Sequence, residues 1–338
     1  MLSRVNRPEN DRQTRTVSRG LQAAILAPSA HNSQPWRFGI DGETIRLGWD
    51  ARRRLPAGDP AGAYLAIGLG AAVESLALGL ATDRVGCEVA VDWRLDACQM
   101  ATIRLVDGAA CNDGLAAHLT ARKTTRLPFA PQPVSESDQT ILDSEARRGG
   151  CMLVVAQERQ QLRAIAEATG EGTARNFADA AVFDEFCGWL RRPGDPRFDG
   201  LAFDALELRG ARAIVARYAL RPASMRTLRR TSLHRLLAAE QTRLAMATGT
   251  FCLLTVPSTA LTDMFQAGRT IQRVWLRATA LGLRVHPMTA ALDHIETRSA
   301  LASSFGIPPN TAIAICFRLG YGPAGVRSRR MPLEQFLD

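Results

Sequence analysis

The amino-acid sequence predicts an α+β fold of two related halves, from one hairpin signal and two similar helices. Asp41-Gly42 separates two short β-type runs, which is typical of a hairpin because both turn positions require positive φ. Long helices are expected over residues 63–81 and 261–281, and both end in Ala-Leu-Gly-Leu before a strand. Helices often end at glycine, so this repeated sequence is weak evidence by itself. It nevertheless indicates two related halves, the second of which carries an insertion.

The other elements follow from hydrophobic periodicity and from the positions of glycine and proline. The two hairpin strands are expected at residues 36–40 and 43–49. Further helices are expected at residues 16–27, 112–121, 136–148, 158–169, 173–191, 236–247 and 297–305. Further strands are expected at residues 86–93, 101–106, 251–256, 283–288 and 311–319.

The composition is that of an ordinary globular protein. Of the 338 residues, 46% are hydrophobic and 22% are charged. This balance excludes a disordered chain, a collagen-like fibre and a small disulfide scaffold. The length suggests about two domains or one large domain with an ample core.

The net charge of +9 is concentrated in two segments of the chain. Residues 1–20 carry +3 and residues 208–235 carry +8, which leaves −2 for the remainder. The second segment suggests nucleic-acid binding as one interpretation. However, Tyr218 is its only aromatic residue, and no helix-turn-helix or zinc-finger pattern accompanies it. Nucleic-acid binding is therefore a distant alternative.

Neither the cysteines nor the hydropathy pattern indicates an exported or membrane-spanning protein. The seven cysteines form no C-x-x-C pair, and the five histidines add no zinc-ligand spacing. The longest apolar stretch, residues 65–81, is interrupted by Glu74 and falls short of the roughly 20 apolar residues that cross a bilayer. We therefore expect a cytoplasmic protein without a metal site.

Three polar segments are candidates for a binding site. The Arg-x-Thr-x-Arg turn at residues 122–126 combines guanidinium and hydroxyl donors that suit a phosphate dianion, although a solvated helix end has the same composition. The basic turn at residues 327–330 is equally ambiguous. Residues 28–34 concentrate amide and hydroxyl groups that can bind the edge of a heteroaromatic ring, although ordinary turns use the same residues.

The sequence lacks the common catalytic motifs. It contains no G-x-S-x-G, Walker A or H-E-x-x-H pattern. Gly68-x-Gly70 lacks the third glycine of a dinucleotide fingerprint, so these glycines are expected to permit close helix packing. Phosphate-binding and ring-binding groups without acid–base residues are typical of a protein whose cofactor performs the chemistry.

These segments together resemble the nitroreductase family of flavoproteins. Residues 27–38 are similar to its P-S-x-x-N-x-Q-P-W loop, and residues 122–126 are similar to its R-x-S/T-x-R/K phosphate turn. Residues 272–288 resemble its helix-then-flavin-strand segment, and residues 305–334 resemble its C-terminal strand and closing basic motif. The loop precedes the turn here, the reverse of the ordinary order. This order and the length resemble the Acg-type branch, in which one chain contains two degenerate halves.

The resemblance implies a nitroreductase-like fold that forms a pseudo-dimer within one chain. Its halves would be residues 1–110 and 111–338, with a lid-like insertion at residues 171–235 and a single retained FMN site. The implied ring contacts are Pro28, Ser29, Ala30 and Asn32, with backbone donors from Met288, Thr289 and Ala290. The implied phosphate contacts are Arg122, Lys123, Thr124, Arg126, Arg329 and Arg330. His31 is the expected substrate contact.

The resemblance also implies an FMN-dependent oxidoreductase. Such an enzyme transfers a hydride through flavin N5 between NAD(P)H and a planar, electron-poor acceptor of the nitro or quinone type. A lid-covered flavin would instead suit FMN storage or sequestration with little turnover. The expected partner is a small-molecule substrate, with neither nucleic acid nor membrane, and the chain is expected as a monomeric pseudo-dimer or a homodimer.

Overall fold

The computed structural model describes residues 7–108, 110, 112–208, 210–221 and 233–338. Its first sheet is antiparallel in the order β1-β2-β4-β3. The strands are β1 (Trp36–Asp41), β2 (Thr44–Trp49), β3 (Val85–Arg94) and β4 (Gln99–Asp107). Asp41 pairs with Thr44, so the hairpin expected from the sequence is confirmed. Its turn is Gly42-Glu43 and not Asp41-Gly42: Gly42 has φ of 58°, whereas Asp41 is the last residue of β1 and has no positive φ.

The second sheet repeats the topology of the first. Its order is β5-β8-β10-β9, so both sheets place their strands, counted along the chain, as first, second, fourth and third. The strands are β5 (Met152–Ala156), β8 (Thr250–Val256), β9 (Arg284–Pro287) and β10 (Ala312–Gly320). This shared order is the structural counterpart of the repeated Ala-Leu-Gly-Leu.

Two central helices join the halves. Helix α2 (Ala63–Ala81) lies between the second and third strands of the first sheet, and α8 (Leu261–Ala280) has the same place in the second. A Cβ on Gly70 of α2 would lie 1.9 Å from the Phe265 carbonyl oxygen of α8. Reciprocally, a Cβ on Gly268 would lie 2.0 Å from the Ile67 oxygen. Gly70 therefore permits close helix packing, as the sequence predicts.

Helix α2 is a core helix. Among the described helices it is long and apolar enough to cross a membrane by length and composition, but 83% of its most apolar window is buried inside the fold. Its Glu74 forms ion pairs at 3.0 Å with Arg269 and 3.1 Å with Arg273, both on α8. A single buried apolar cluster contains residues of both sheets, among them Phe38 and Phe317.

The remaining helices are α1 (Arg7–Ala24), α3 (Glu136–Arg148), α4 (Arg159–Ala178), α5 (Ala180–Trp189), α6 (Ala211–Ala219), α7 (Leu233–Met246) and α9 (Ile295–Ser304). They agree with the expected positions with four exceptions, the last of which is α6, a helix that the sequence did not predict. The helix expected at residues 112–121 is wrong, because the chain enters a 3₁₀ turn at Leu115 from Gly114, which has φ of 81°. Helix α1 begins earlier than residue 16.

The third exception concerns the break between α4 and α5. It falls at Asp179, whose side chain caps α5 by accepting from the backbone of Ala181 and Val182. The glycines that suggested an earlier break, Gly170 and Gly172, lie inside α4. A Cβ on either would lie 2.0 Å from an atom of a neighbouring segment, so both glycines serve packing.

The insertion separates the first two strands of the second sheet. Residues 157–249 connect β5 to β8, where the first sheet has only the two-residue hairpin turn. They include α4 to α7 and two short paired strands, β6 (Leu190–Arg191) and β7 (Leu201–Ala202). The insertion is thus longer than the expected residues 171–235. The Arg-rich segment at residues 208–235, with its nucleic-acid alternative, lies partly outside the described residues.

Two connections bring distant segments to one place. Leu337 forms a parallel bridge with Phe38, so the C-terminal tail returns from the second half to the edge of the first sheet. Thr124 forms a parallel bridge with Val285, which attaches the basic turn to the edge of the second sheet. Both segments also reach the chain that precedes β1, where Arg122 donates to the Leu26 oxygen and the Arg329 oxygen accepts from Asn32.

Candidate functional site

The polar loop, the basic turn and the C-terminal tail surround one cavity of about 100 Å³. Most of the residues singled out in the sequence line it: Pro28, Ser29, His31, Asn32, Arg122, Lys123, Thr124, Arg126 and Arg330. The cavity is large enough for a small anion but smaller than the roughly 300 Å³ at which ordinary ligand pockets begin. It also contains Leu201 of the insertion, which therefore closes one side.

The polar loop adopts an unusual backbone that distant residues hold. His31, Asn32 and Gln34 all have φ between 51° and 56°, a region that residues other than glycine seldom occupy. Asn32 Nδ2 donates to the Gly200 oxygen at 2.9 Å and to the Arg329 oxygen at 3.1 Å. Such strained conformations persist where surrounding contacts fix them, and they cluster at functional sites.

Gln34 fixes the same loop from its other end. Its Nε2 donates to the Phe198 oxygen of the insertion at 3.0 Å, and its Oε1 accepts from the backbone N–H of Met331 at 3.0 Å. The backbone N–H of Gln34 donates to the Ser29 hydroxyl at 3.0 Å. The loop is thus connected to both the insertion and the tail.

Arg122 and Arg330 present positive charge to the cavity. Arg122 is buried, its Nη2 donates to the Leu26 oxygen at 2.8 Å, and its guanidinium carbon lies 4.7 Å from the ring centre of Trp275. Arg330 donates from Nη1 to Asn32 Oδ1 at 2.7 Å and from Nη2 to the Ala27 oxygen at 2.9 Å.

The charges of these two arginines are not compensated by the described residues. Their hydrogen bonds go to uncharged oxygens, and the Nε atom of each is buried with no partner in the described part of the chain. Burial, together with the nearby charge of Arg330, lowers the pKa of Arg122 to about 9. Burial likewise lowers the pKa of Arg330 to about 10, with a contribution from Arg327. The cavity is therefore suited to an anion.

Arg126 connects the cavity to the insertion. Its Nη1 donates to the Ala205 oxygen at 2.8 Å, and its backbone N–H donates to the carboxylate of Glu207. Burial lowers the pKa of Arg126 to about 10, while the charge of Glu207 opposes that shift.

His31 is held as a neutral residue at physiological pH. Burial lowers its pKa to about 4, and the charge of Arg126 acts in the same direction. Its ring packs edge-on against Phe186 of α5, with the ring centres 5.4 Å apart. A neutral imidazole can donate or accept one hydrogen bond per nitrogen without adding charge to the cavity.

Several predicted site residues lie outside the lining of this cavity: Ala30, Met288, Thr289, Ala290 and Arg329. Met288 is buried and directly follows β9, where its N–H donates to the Cys316 oxygen of β10 at 2.9 Å. The Ala290 oxygen packs against Gly172 of α4. Arg329 points to the insertion, where it donates to the Asp195 oxygen at 3.0 Å. The cofactor contacts of these five residues stay predictions, because the cavity is lined mainly by the residues predicted to bind the phosphate.

The cavity also contains residues that sequence reasoning missed. Arg327 and Ser328 belong to the basic turn at residues 327–330, so their signal was present, but only Arg329 and Arg330 were selected. Leu26, Leu119 and Thr120 are neighbours of the two motifs. Leu201 carries no sequence signal, because only the folding of the insertion brings it here.

Comparisons with known proteins agree with the resemblance seen in the sequence. A family model described as "Putative TM nitroreductase" matches residues 1–75. The Mycobacterium tuberculosis protein named "Putative NAD(P)H nitroreductase Rv3131" is 27% identical over 319 residues, covering 91% of this chain and 86% of that protein. The "Putative NAD(P)H nitroreductase acg" of the same organism is 30% identical over 144 residues, 41% of this chain and 42% of that protein.

Solved structures of nitroreductases are also similar. One is the FMN-dependent nitroreductase NfnB from Mycobacterium smegmatis in complex with NADPH, at 17% identity and a TM-score of 0.42. The match covers 65% of this chain and 96% of that chain.

The family model and the relatives named NAD(P)H nitroreductases confirm the predicted resemblance to the nitroreductase family. Within that family, the match to the acg protein spans two fifths of the chain, so the Acg-type branch belongs to the proposal below.

Proposed function

We propose that this protein is an FMN-dependent, nitroreductase-like oxidoreductase of the Acg type, and that its cavity binds the phosphate of FMN. The observation that carries the proposal is the pair Arg122 and Arg330, whose charges meet no carboxylate among the described residues. Two guanidinium groups match the charge of one phosphate dianion and can donate to its oxygens in pairs. The buried Nε atoms without partners are donors that such a ligand would satisfy.

Each wall of the cavity has a role in this proposal. Arg122 and Arg330 hold the phosphate, and Lys123, Thr124 and Arg126 complete its surroundings. The loop with Pro28, Ser29, Ala30 and Asn32 faces the isoalloxazine ring, while Met288, Thr289, Ala290 and Arg329 remain proposed contacts on the family resemblance. Asn32 is already oriented, because its side chain binds both Arg330 and the Gly200 oxygen.

The chemistry proposed for bound FMN is hydride transfer through N5 between NAD(P)H and a planar acceptor of the nitro or quinone type. The described cavity residues serve to bind and orient, since they include no carboxylate and His31 is neutral. The relatives named NAD(P)H nitroreductases support this reductant. We further propose a cytoplasmic protein that acts on small molecules, as a monomeric pseudo-dimer or a homodimer.

The visible spectrum of the purified protein tests the proposal. We expect flavin absorption bands, or their appearance after reconstitution with FMN, and their loss in Arg122→Ala. A colourless protein that takes up no FMN would contradict it. Steady consumption of NADPH in the presence of a nitro or quinone acceptor then tests the oxidoreductase activity.

One observation favours a second candidate function, FMN storage with little turnover. Leu201 lines the cavity, and the Gly200 oxygen accepts from Asn32 at 2.9 Å, so the insertion lies directly over the polar loop. Substrates reach a covered flavin slowly, because the cover must first open. Photoreduction of the bound flavin without consumption of NADPH would identify a storage protein, whereas acceptor-dependent consumption would identify the enzyme.

A further inference from the structure

We infer that Glu207, a residue of the insertion, is a positioning residue that holds together the two basic walls of the cavity. Glu207 follows the 3₁₀ turn Phe203–Leu206 and has φ of 57°. Its Oε2 accepts from the backbone N–H groups of Arg126 and Leu127, the latter at 3.0 Å. Its Oε1 accepts from the backbone N–H of Val326 at 2.9 Å.

These three amides belong to the two segments that carry the cavity's cations. Arg126 ends the basic turn, and Val326 directly precedes Arg327 in the tail. The two segments are far apart in the chain, so one carboxylate joins walls that local structure does not connect. Glu207 is not among the lining residues, and it therefore acts through the backbone that it fixes.

A carboxylate is the group that this position requires. Its two oxygens accept several N–H groups at once, and the charge strengthens each bond. A glutamine would offer one oxygen and turn an NH₂ group toward amide donors. The left-handed backbone at Glu207 is unfavourable for a residue with a Cβ, which agrees with a side chain held by distant contacts.

The same segment also orients the Arg126 side chain. The Ala205 oxygen accepts from Arg126 Nη1 at 2.8 Å, so residues 205–207 bind both the backbone and the guanidinium of this residue. The charge of Glu207 favours the protonated form of Arg126 against its burial, and it favours that of the buried Arg318 in the same way.

A matched control exists within the insertion. Glu185 of α5 also attaches the insertion by a carboxylate on two backbone amides, accepting from Ala57 N–H at 3.1 Å and Gly58 N–H at 2.8 Å. Neither Ala57 nor Gly58 lines the cavity. Loss of Glu185 should loosen the insertion without releasing the phosphate-binding walls.

The experiment compares the affinities of the full-length variants for FMN and for riboflavin, which lacks the phosphate. This inference rests on the proposed function, so wild-type binding is measured first. We expect Glu207→Gln to lower the preference for FMN over riboflavin about tenfold, since hydrogen bonds to a charged group are lost. Glu185→Gln should keep the wild-type preference for FMN, even where its melting temperature is as low as that of Glu207→Gln.

The outcomes separate the two proposals. Wild-type protein that binds no FMN overturns the proposed function, and this inference with it. If the wild type prefers FMN, an unchanged preference in Glu207→Gln, or equal losses in both variants, overturns the inference alone. Should Glu207→Gln fail to fold, Glu207→Ala is measured with and without formate. Formate that restores the FMN preference supports the inference, and an FMN preference equal to wild type without formate overturns it.

Discussion

The two sheets share one strand order but differ in their connections, and the candidate site lies where they differ. In the first half, a polar loop of residues 25–35 joins α1 to β1, and a two-residue turn joins β1 to β2. In the second half, residues 149–151 join α3 to β5, and residues 157–249 join β5 to β8. The long loop of one half and the long insertion of the other meet at a single cavity.

This difference explains how a repeated fold can carry one site. The core needs both halves to keep their strands and central helices, whose glycines meet in reciprocal contacts. Connections are freer to diverge because they contribute less to the shared core. In the second half the corresponding connection is the tight turn at Gly149, where a Cβ would lie 2.0 Å from Thr270 Oγ1, and no counterpart of the polar loop fits there.

The largest effect, on the free energy of unfolding, is expected where α2 and α8 of the two halves pack closely. Gly70→Ala places a Cβ 1.9 Å from the Phe265 oxygen, so α2 and α8 must separate. We expect the free energy of unfolding to fall by about 3 kcal/mol, as in overpacked cores. Urea denaturation measures it.

The control for this prediction is a helical glycine outside the contact. Gly188→Ala in α5 meets no heavy atom within 4 Å, so it should be neutral or stabilise the protein by about 0.5–1 kcal/mol. If both variants are equally stable, the halves do not share one tightly packed core.

A smaller effect, on the affinity for FMN, is expected for a substitution at the cavity. It distinguishes two neighbouring arginines of the tail. Arg330→Ala removes a guanidinium that lines the cavity, and we expect FMN affinity to fall about thirtyfold, as for a lost charge-assisted bond. Arg329→Ala removes a guanidinium that lies outside the cavity lining and contacts the Asp195 backbone oxygen and the ring of Phe198, so it should lower FMN affinity much less than Arg330→Ala. Fluorescence titration measures both. Similar losses would mean that Arg329 also reaches the ligand, as the family resemblance implies.

The smallest effect is expected on the pH dependence of protein stability. Burial lowers the pKa of His31 to about 4, whereas an unfolded histidine titrates near its usual 6.5. The unfolded chain therefore binds a proton that the native protein excludes, and stability is lost as pH falls from about 6.5 to 4. His31→Asn keeps a residue that tolerates positive φ and should reduce this loss, while the buried His286 retains a similar effect. Parallel stability profiles for the variant and wild type would be inconsistent with a neutral His31.

The local signals in the sequence were sufficient for much of the fold. Asp41-Gly42 predicted the hairpin, and the small-residue pattern predicted α2 with its observed ends, because turn chemistry and periodicity act over short distances. The helix expected near residue 115 failed because a positive φ at Gly114 turns the chain. The break between α4 and α5 was misplaced because tertiary packing, rather than helix propensity, requires Gly170 and Gly172.

The candidate site was predictable where it consists of motifs and not where the insertion contributes. Arg122 and Asn32 stand in recognisable patterns, and both line the cavity. Leu201 and Glu207 lie in a segment without a pattern, and only the path of the insertion brings them to these walls. Contacts between residues so far apart in the chain leave no local trace in one sequence.

Arg122 and Arg330 meet no carboxylate among the described residues, and we propose that they make the cavity a phosphate site. The most direct test of this proposal is to titrate the wild-type protein with FMN and with riboflavin under the same conditions. Because the two ligands share the ring and differ by the phosphate, we expect FMN to bind about a thousandfold more tightly, the contribution of two charge-assisted contacts. Equal affinities, or no binding of FMN, would contradict it.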